Sequence, residues 1–223
     1  LEILGYEWAD KLYHLAYELV NLPGNVTMAS REGTVVLFDD LVREATQRAR
    51  EIVEVKNPEI TESAKVKISQ AVALGALKYT MLSRDNTKVV TFDWDAALDF
   101  NGQAAPYIQY AHVRAGSILR KAAEDISGPT EFPEDLEEAE INLIELMTKL
   151  PGEVQRASEE YRPLIIANLA IDLAKTFNDF YNTCHVLNAE PQVRAYRLRL
   201  VAAARQVIAT SLRLLGIEAP SMM

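Results

Sequence analysis

The spacing of apolar residues along the chain predicts a protein built mainly from helices. Long stretches repeat apolar residues every three or four positions, which is the period of an α-helix, whereas the alternation typical of a strand is almost absent. The exception is the run Thr34–Phe38 (TVVLF), which follows the turn-prone Gly33 and is predicted to be a strand. The pattern therefore predicts a helical bundle preceded by a small piece of α/β structure.

Capping residues and prolines indicate where the predicted helices begin and end. Asp39 and Asp40 offer an N-cap to a first helix that runs to about Val55, and Asn57-Pro58 ends it. The later helices are predicted at about Glu62 to Leu82, within Thr91–Phe100 behind the cap Asp93, from Pro106 to about Glu124, from Pro133 onward, from Pro163 to about Leu187, and from Gln192 to Leu215. Gly216 is a suitable C-terminal cap, and Ser127-Gly128-Pro129-Thr130 is the clearest linker.

Length and residue usage exclude several classes of protein. The 223 residues suffice for one large domain or two small ones. No apolar run approaches the roughly 20 residues needed to span a bilayer, and no signal-peptide pattern opens the chain. Because the chain starts at Leu1 and its first residues already read as a helix, we expect a fragment of a longer protein.

Cysteine and histidine usage argues against a disulfide and against a metal site. The single cysteine, Cys184, lies in an apolar and aromatic stretch, so we expect a buried and unreactive thiol in a reducing cytoplasm. The three histidines, His14, His112 and His185, have no spacing typical of metal ligands.

The net charge of −9 argues against a nucleic-acid binder only if its distribution is ignored. From Glu124 to Glu160 there are twelve acidic residues against Lys149 and Arg156. From Pro191 to Ile217 there are five arginines and no acid. Since phosphate binding needs only a local positive face, the last helix could still meet an anionic partner.

Three segments could carry chemistry, and the first is the polar loop of Met28, Ala29, Ser30, Arg31, Glu32 and Gly33. From the residues alone it is a loop in which Gly33 permits an unusual backbone angle. Arg31 could neutralise phosphate charge, although the neighbouring Glu32 partly cancels its field.

The second is the helix that begins near Pro106. At about 100° per residue, Tyr107, Tyr110 and Arg114 share one stripe of this helix, and apolar residues such as Ile108 and Ala111 form another. Two phenol rings and a guanidinium can stack on unpaired bases and hold phosphate, as proteins that bind single-stranded RNA loops do. The alternative is that both tyrosines lie at the rim of a core.

The third is the final helix, where Arg194, Arg197 and Arg205 fall within about 80° of one another on a helical wheel. They are possible phosphate contacts. A basic stripe opposite an apolar one is more often a solvated face, and that alternative stays open.

Four segments, taken in order, resemble the arginyl-tRNA synthetase family, and the resemblance covers essentially the whole chain. They are Leu4-Gly5-Tyr6 with Trp8-Ala9; Met28–Val36, similar to the family's variant of the class I KMSKS loop; Phe92-Asp93-Trp94-Asp95 with Gly102 and Pro106–His112 (PYIQYAH) plus Arg114; and Ala202–Val207 through Leu214–Ile217 and Pro220. The third segment is the most specific of them.

The resemblance implies two parts of a class I synthetase. Residues 1–57 would be the end of the Rossmann-like catalytic domain, with the KMSKS-like ATP loop at 28–33, and residues 58–223 would be an all-α anticodon-binding domain of the DALR type. The intact enzyme would use arginine, ATP with Mg²⁺, and tRNA for arginine. It would be a cytoplasmic monomer that binds neither DNA nor a membrane.

The resemblance also implies roles for particular residues. Tyr107, Tyr110 and Arg114 correspond to residues that face the anticodon loop in the family, and Tyr181 and Met223 correspond by position to two further residues that approach it.

Two departures from the family pattern limit what this chain is expected to do. Ala29 stands where serine is usual, and Glu32 stands where lysine is frequent, which reverses the sign of a charge expected to stabilise ATP phosphates. No histidine of the chain belongs to a His-x-Gly-His signature, so that half of the ATP site would lie upstream. We therefore expect this portion to bind RNA but not to aminoacylate it.

Three alternatives remain open on the sequence. One is a non-catalytic helical RNA-binding or scaffolding module with the same architecture, which Ala29 and Glu32 favour. Another is a different class I synthetase of the same subgroup, against which the Tyr-x-x-Tyr-Ala-His-x-Arg stretch argues. The last is a purely structural bundle.

Overall fold

The structure, a computed structural model that describes residues 1–21, 37–128 and 133–223, confirms the predicted mainly helical architecture. The helices are α1 (Phe38–Lys56), α2 (Glu62–Leu82), α3 (Trp94–Ala97), α4 (Ala105–Ala122), α5 (Glu138–Thr148), α6 (Leu150–Glu159), α7 (Leu164–Thr183) and α8 (Pro191–Leu214). Two short 3₁₀ segments at Glu2–Leu4 and Ala9–Lys11 precede the strand β1 (Val20–Asn21), and the strand β2 (Val90–Thr91) lies between α2 and α3.

The strands differ from the prediction. β1 and β2 pair in parallel, Val20 beside Val90 and Asn21 beside Thr91, and two residues each are too few to show an alternating pattern. Of the predicted strand, residues 34–36 lie outside the described residues, and its end is wrong because Phe38 is the first residue of α1. Leu37, which is extended, takes the N-cap position, and the predicted caps Asp39 and Asp40 lie in the first turn, where acids favour helix formation.

Most helix ends agree with the prediction. α2 has the predicted bounds, and its N-cap Thr61 accepts a hydrogen bond from the amide of Ala64. Asp93 caps α3 as predicted, although that helix has only four residues. After α8, Gly216 adopts a positive φ of 66°, a conformation that glycine takes without steric cost.

The start of α5 is wrong in the prediction. It begins at Glu138 rather than near Pro133, because the Glu140 carboxylate accepts a hydrogen bond from the backbone amide of Glu137 at 2.8 Å and so fixes the first turn there. The separate helix α6 was not predicted; a proline in its first turn, Pro151, is compatible with a new start.

Apolar side chains form two cores. The bundle core joins α4, α5, α7 and α8 around residues such as Ile108, Leu143 and Phe177. The smaller core joins α1, α2 and α3 around residues such as Val53 and Phe92. The predicted domain boundary at 57/58 falls between α1 and α2, which share this smaller core, and the division stays a prediction.

Helix α2 contributes to both cores. Val72 and Ala76 belong to the smaller core, whereas Tyr79 points into the bundle core, where its hydroxyl donates to the carbonyl of Ala167 at 3.4 Å. Burial raises the pKa of Tyr79 to about 12. Among the described residues, none of the helices is long and apolar enough to cross a membrane.

Candidate nucleic-acid interface

The guanidinium of Arg114 lies between two tyrosine rings at the junction of α4 and α7. Its central carbon is 4.8 Å from the centroid of Tyr110 and 4.9 Å from the centroid of Tyr181, within the range of cation–π attraction. The same guanidinium donates from Nη1 to Asn178 Oδ1 at 2.6 Å. Asn178 is buried, so it offers a fixed acceptor that holds Arg114 in place.

A cleft of about 650 Å³ opens beside this stack. We call it the tyrosine cleft, and its lining includes Tyr110, Arg114, Lys121, Tyr181 and Met223. Tyr110 and Tyr181 are 40% and 42% exposed, so a ligand can reach both rings. Four residues named from the sequence are therefore brought together: Tyr110, Arg114, Tyr181 and Met223.

A neighbouring cleft of about 430 Å³ shares Tyr110, Arg114 and Met223 with the first. Its lining also includes Lys56, whose ammonium lies 5.2 Å from the ring centroid of Phe100. The sequence carries no local signal for this pair, because Lys56 and Phe100 are 44 positions apart and only the contact between the end of α1 and the segment after α3 joins them.

Tyr107 has a different environment from Tyr110. It is half-buried and packs against the bundle core, and it does not line either cleft. One helical turn thus separates a tyrosine at the rim of the core from one at the mouth of the cleft, although both fall on one stripe of the wheel.

The arginines of α8 differ in how far they are already paired. Arg197 forms an ion pair with the buried Glu140 at 2.7 Å and donates to the carbonyl of His185 at 2.9 Å. Arg194 pairs with Glu124 at 2.5 Å. The predicted phosphate contacts at these two positions are thus engaged with groups of the protein itself, and neither residue lines the tyrosine cleft.

Arg205 faces α4 instead. A Cβ on Gly116 would lie 3.3 Å from Arg205 Nε, which is buried and has no hydrogen-bond partner among the described residues. Arg205 is therefore the one of the three predicted phosphate contacts for which the described residues supply no carboxylate partner.

The remaining candidates carry less information. The loop of Met28 to Gly33 lies outside the described residues. Cys184 is buried as predicted, and burial raises the pKa of its thiol, which keeps it protonated and unreactive. In the described ranges, no group of three or more His, Cys, Asp or Glu side chains could hold a metal ion.

Two buried polar side chains of α4 belong to the segment Pro106–His112, and the sequence alone predicted no role for them. Gln109 donates to the carbonyl of Glu218 at 2.9 Å, and His112 Nδ1 donates to the carbonyl of Pro220 at 2.9 Å. The available signal was the presence of glutamine and histidine next to the apolar stripe of Ile108 and Ala111, because buried polar groups require partners.

On this helical bundle, two exposed aromatic rings hold a guanidinium that pairs with no carboxylate of the described residues, and such a surface is suited to unpaired nucleotides. Comparison with known protein families also points to a protein that binds RNA. Residues 108–223 match the DALR anticodon binding domain, and residues 1–94 match the catalytic domain of class I tRNA synthetases of the arginine type.

The chain belongs to the arginyl-tRNA synthetase family. It is 43% identical to an arginine–tRNA ligase of Pyrococcus furiosus and 44% identical to that of Pyrococcus abyssi, in both cases over 100% of the chain but only 37% and 36% of the relative. Its fold superimposes on Thermus thermophilus arginyl-tRNA synthetase with a TM-score of 0.86 at 38% identity, covering 96% of this chain and 36% of that one. The chain thus spans little more than a third of the length of these relatives.

Proposed function

We propose that this portion binds the anticodon stem-loop of tRNA for arginine through the tyrosine cleft, in a longer protein that attaches arginine to that tRNA with ATP. The observation that carries the proposal is the Arg114 guanidinium held between two exposed tyrosine rings. Membership of the arginyl-tRNA synthetase family supports the choice of tRNA.

The cleft offers two kinds of contact to an RNA loop. Tyr110 and Tyr181 present exposed ring surface on which unpaired bases can stack, at about 1–3 kcal/mol per base. A guanidinium has five N–H donors, and Arg114 uses Nη1 for Asn178, so further donors remain for a base edge or a phosphate. Within the described part of the chain, Arg114 is held by the neutral amide of Asn178 and pairs with no carboxylate, so that part leaves its charge available to RNA.

We infer further that the longer protein uses arginine, ATP and Mg²⁺, acts as a monomer and works in the cytoplasm. The buried free thiol of Cys184 is compatible with a reducing compartment. The ATP loop at 28–33 and the residues missing relative to the longer relatives would carry the chemistry, so this chain alone should not aminoacylate tRNA.

Titration of the chain with anticodon stem-loops tests the proposal. A fluorescently labelled stem-loop of tRNA for arginine should bind more tightly than a stem-loop of equal length from another tRNA. Tyr110→Ala should weaken the first complex and leave the circular dichroism spectrum unchanged. Equal binding of both stem-loops by the unmutated chain would contradict the proposed tRNA specificity, and equal binding by Tyr110→Ala would remove the cleft from the interface.

A second candidate is a non-catalytic RNA-binding module, favoured by Ala29 and Glu32 in the ATP loop. Attachment of arginine to tRNA in the presence of ATP, measured on the longer protein, distinguishes the two. Formation of arginyl-tRNA supports the ligase, whereas RNA binding without it favours the module.

A further inference from the structure

Residues Gly216–Met223, which we call the tail, cross the surface of α4 after α8 ends. The positive φ of Gly216 turns the chain, and the amide of Ile217 donates to the carbonyl of Leu212 at 2.9 Å. Within the tail, Ile217 and Pro220 are buried, while Met222 is 49% exposed. The tail therefore packs against the bundle at some positions only.

Side chains hold the tail by its backbone. Gln109 binds the carbonyl of Glu218 at 2.9 Å, His112 that of Pro220 at 2.9 Å, and Arg120 that of Ser221 at 3.3 Å. Lys78 of α2 binds the carbonyl of Gly216. Because every acceptor is a main-chain oxygen, these contacts fix which tail residue lies at which point of α4, whatever side chains the tail carries.

The two central contacts are built into the protein interior. Gln109 is 0% and His112 5% exposed. Gln109 Nε2 also donates to the carbonyl of Ala71 in α2 at 3.1 Å. A Cβ on Gly75 would lie 3.0 Å from Gln109 Nε2 and 3.2 Å from Ile217 Cγ2, so glycine leaves room there for both Gln109 and the tail. We call the hydrogen bonds from Gln109 and His112 to the tail the clamp.

The fixed register determines where Met223 lies. Two residues after Ser221, Met223 lines both clefts together with Tyr110 and Arg114, and it packs against the core of α1 to α3. An unheld tail would have to lose its conformational freedom each time the side chain met a ligand. A clamped tail has lost that freedom already.

We propose that Gln109 and His112 are positioning residues that hold Met223 in the tyrosine cleft and so raise the affinity for RNA. This inference rests on the proposed function. Both residues are buried and contact the tail, so they act on RNA binding through the position of Met223 and not by touching RNA.

The position of Met223 can be measured without RNA. In a chain labelled with ¹³C at the methionine methyl groups, the Met223 signal is assigned by comparison with Met223→Leu. The unmutated chain should give a Met223 signal shifted by the ring of Tyr110 and broadened by restricted motion. His112→Ala should move it to the position and narrow width of a free methionine, and His112→Asn, whose amide nitrogen can replace Nδ1, should restore it.

Affinity for the stem-loop then tests the consequence. We expect Met223→Ala and His112→Ala each to weaken binding by about 2- to 10-fold, the cost of ordering one flexible side chain. The double variant should be no weaker than Met223→Ala, because the clamp acts only through Met223. Additive losses, or full affinity in His112→Ala beside a weak Met223→Ala, would overturn the inference.

A glycine inserted between Ser221 and Met222 gives a second route that leaves every buried residue intact. It shifts Met223 by about 3.5 Å along the chain and should weaken RNA binding as much as Met223→Ala does; unchanged affinity overturns the inference. If the unmutated chain fails to bind the stem-loop, the proposed function fails, while the methyl signal still decides whether the clamp holds Met223.

Discussion

Arg114 and Arg197 were both candidates for RNA contact on the sequence, and the fold gives them opposite environments. Arg197 is 12% exposed in its side chain and forms an ion pair with Glu140, which is 2% exposed. Arg114 lies between two exposed rings and is held by a neutral amide. A positive charge is available to a ligand only where the protein has not already neutralised it, and that depends on tertiary contacts.

The origin of the difference is the acidic stretch from Glu124 to Glu160. Two of its members, Glu124 and Glu140, meet α8 and pair with Arg194 and Arg197. Blocks of opposite charge that are separate in the sequence thus meet in the fold. α4, which carries Arg114, has no acidic residue along its length, and a buried asparagine rather than a carboxylate approaches the guanidinium.

The largest effect should come from breaking the buried pair. Glu140→Gln keeps the side-chain volume and an oxygen for the amide of Glu137, but it leaves the largely buried Arg197 charge without a carboxylate, with the carbonyl of His185 as a neutral acceptor. We expect a loss of about 3–5 kcal/mol in the free energy of unfolding, measured by urea denaturation. RNA affinity of the folded fraction should not change. A stability equal to that of the unmutated chain would mean that Arg197 finds other partners.

The two tyrosines of α4 should separate stability from binding. Tyr107→Ala should lower the free energy of unfolding by about 2–3 kcal/mol, less than the loss for a fully buried aromatic residue. Tyr110→Ala should instead lower the free energy of RNA binding by about 1–3 kcal/mol and change stability little. Urea denaturation and stem-loop titration of both variants check this. If the two effects were exchanged, the assignment of Tyr110 to the interface would be wrong.

The exposed pair on α8 provides a matched control for the buried one. Arg194 and Glu124 have side chains that are 31% and 41% exposed, so solvent screens their attraction. Glu124→Gln should change the free energy of unfolding by only about 0–1 kcal/mol, and less as salt is added. A loss as large as that of Glu140→Gln would contradict the idea that burial sets the difference.

The smallest effect should be the pH dependence that arises from His112. Burial lowers the pKa of this residue; Arg205 of α8 lowers it further, and the bond to Pro220 opposes both. Below the ordinary histidine value of about 6.5, the unfolded chain takes up the proton more readily than the folded one. Stability should therefore fall as pH drops below about 6.5 and be unaffected by this group above it. Between pH 7.5 and 5.5, the free energy of unfolding of His112→Asn should fall less than that of the unmutated chain.

The sequence was sufficient for most helix ends, apart from the start of α5 and the separate helix α6, because the signals at those ends are local. The cap at Asp93, the stop at Asn57-Pro58 and the glycine at 216 each act within a few residues of the end they define. The parallel pairing of Val20 with Val90 joins residues 70 positions apart and leaves no local pattern. The same holds for the site, where Tyr110 and Arg114 share a helix, whereas Asn178 and the Lys56–Phe100 pair become neighbours only by packing.

Helix α2 has consequences for dividing the molecule. It presents small and apolar side chains around much of its circumference, with Val72 turned toward one hydrophobic interior and Tyr79 toward the other. A truncation that starts just before this helix would strip α1 from it and bare Ile68 and Val72 to water. Any shortened version intended for crystallisation with RNA should retain α1, since its loss would promote aggregation before the binding surface could be examined.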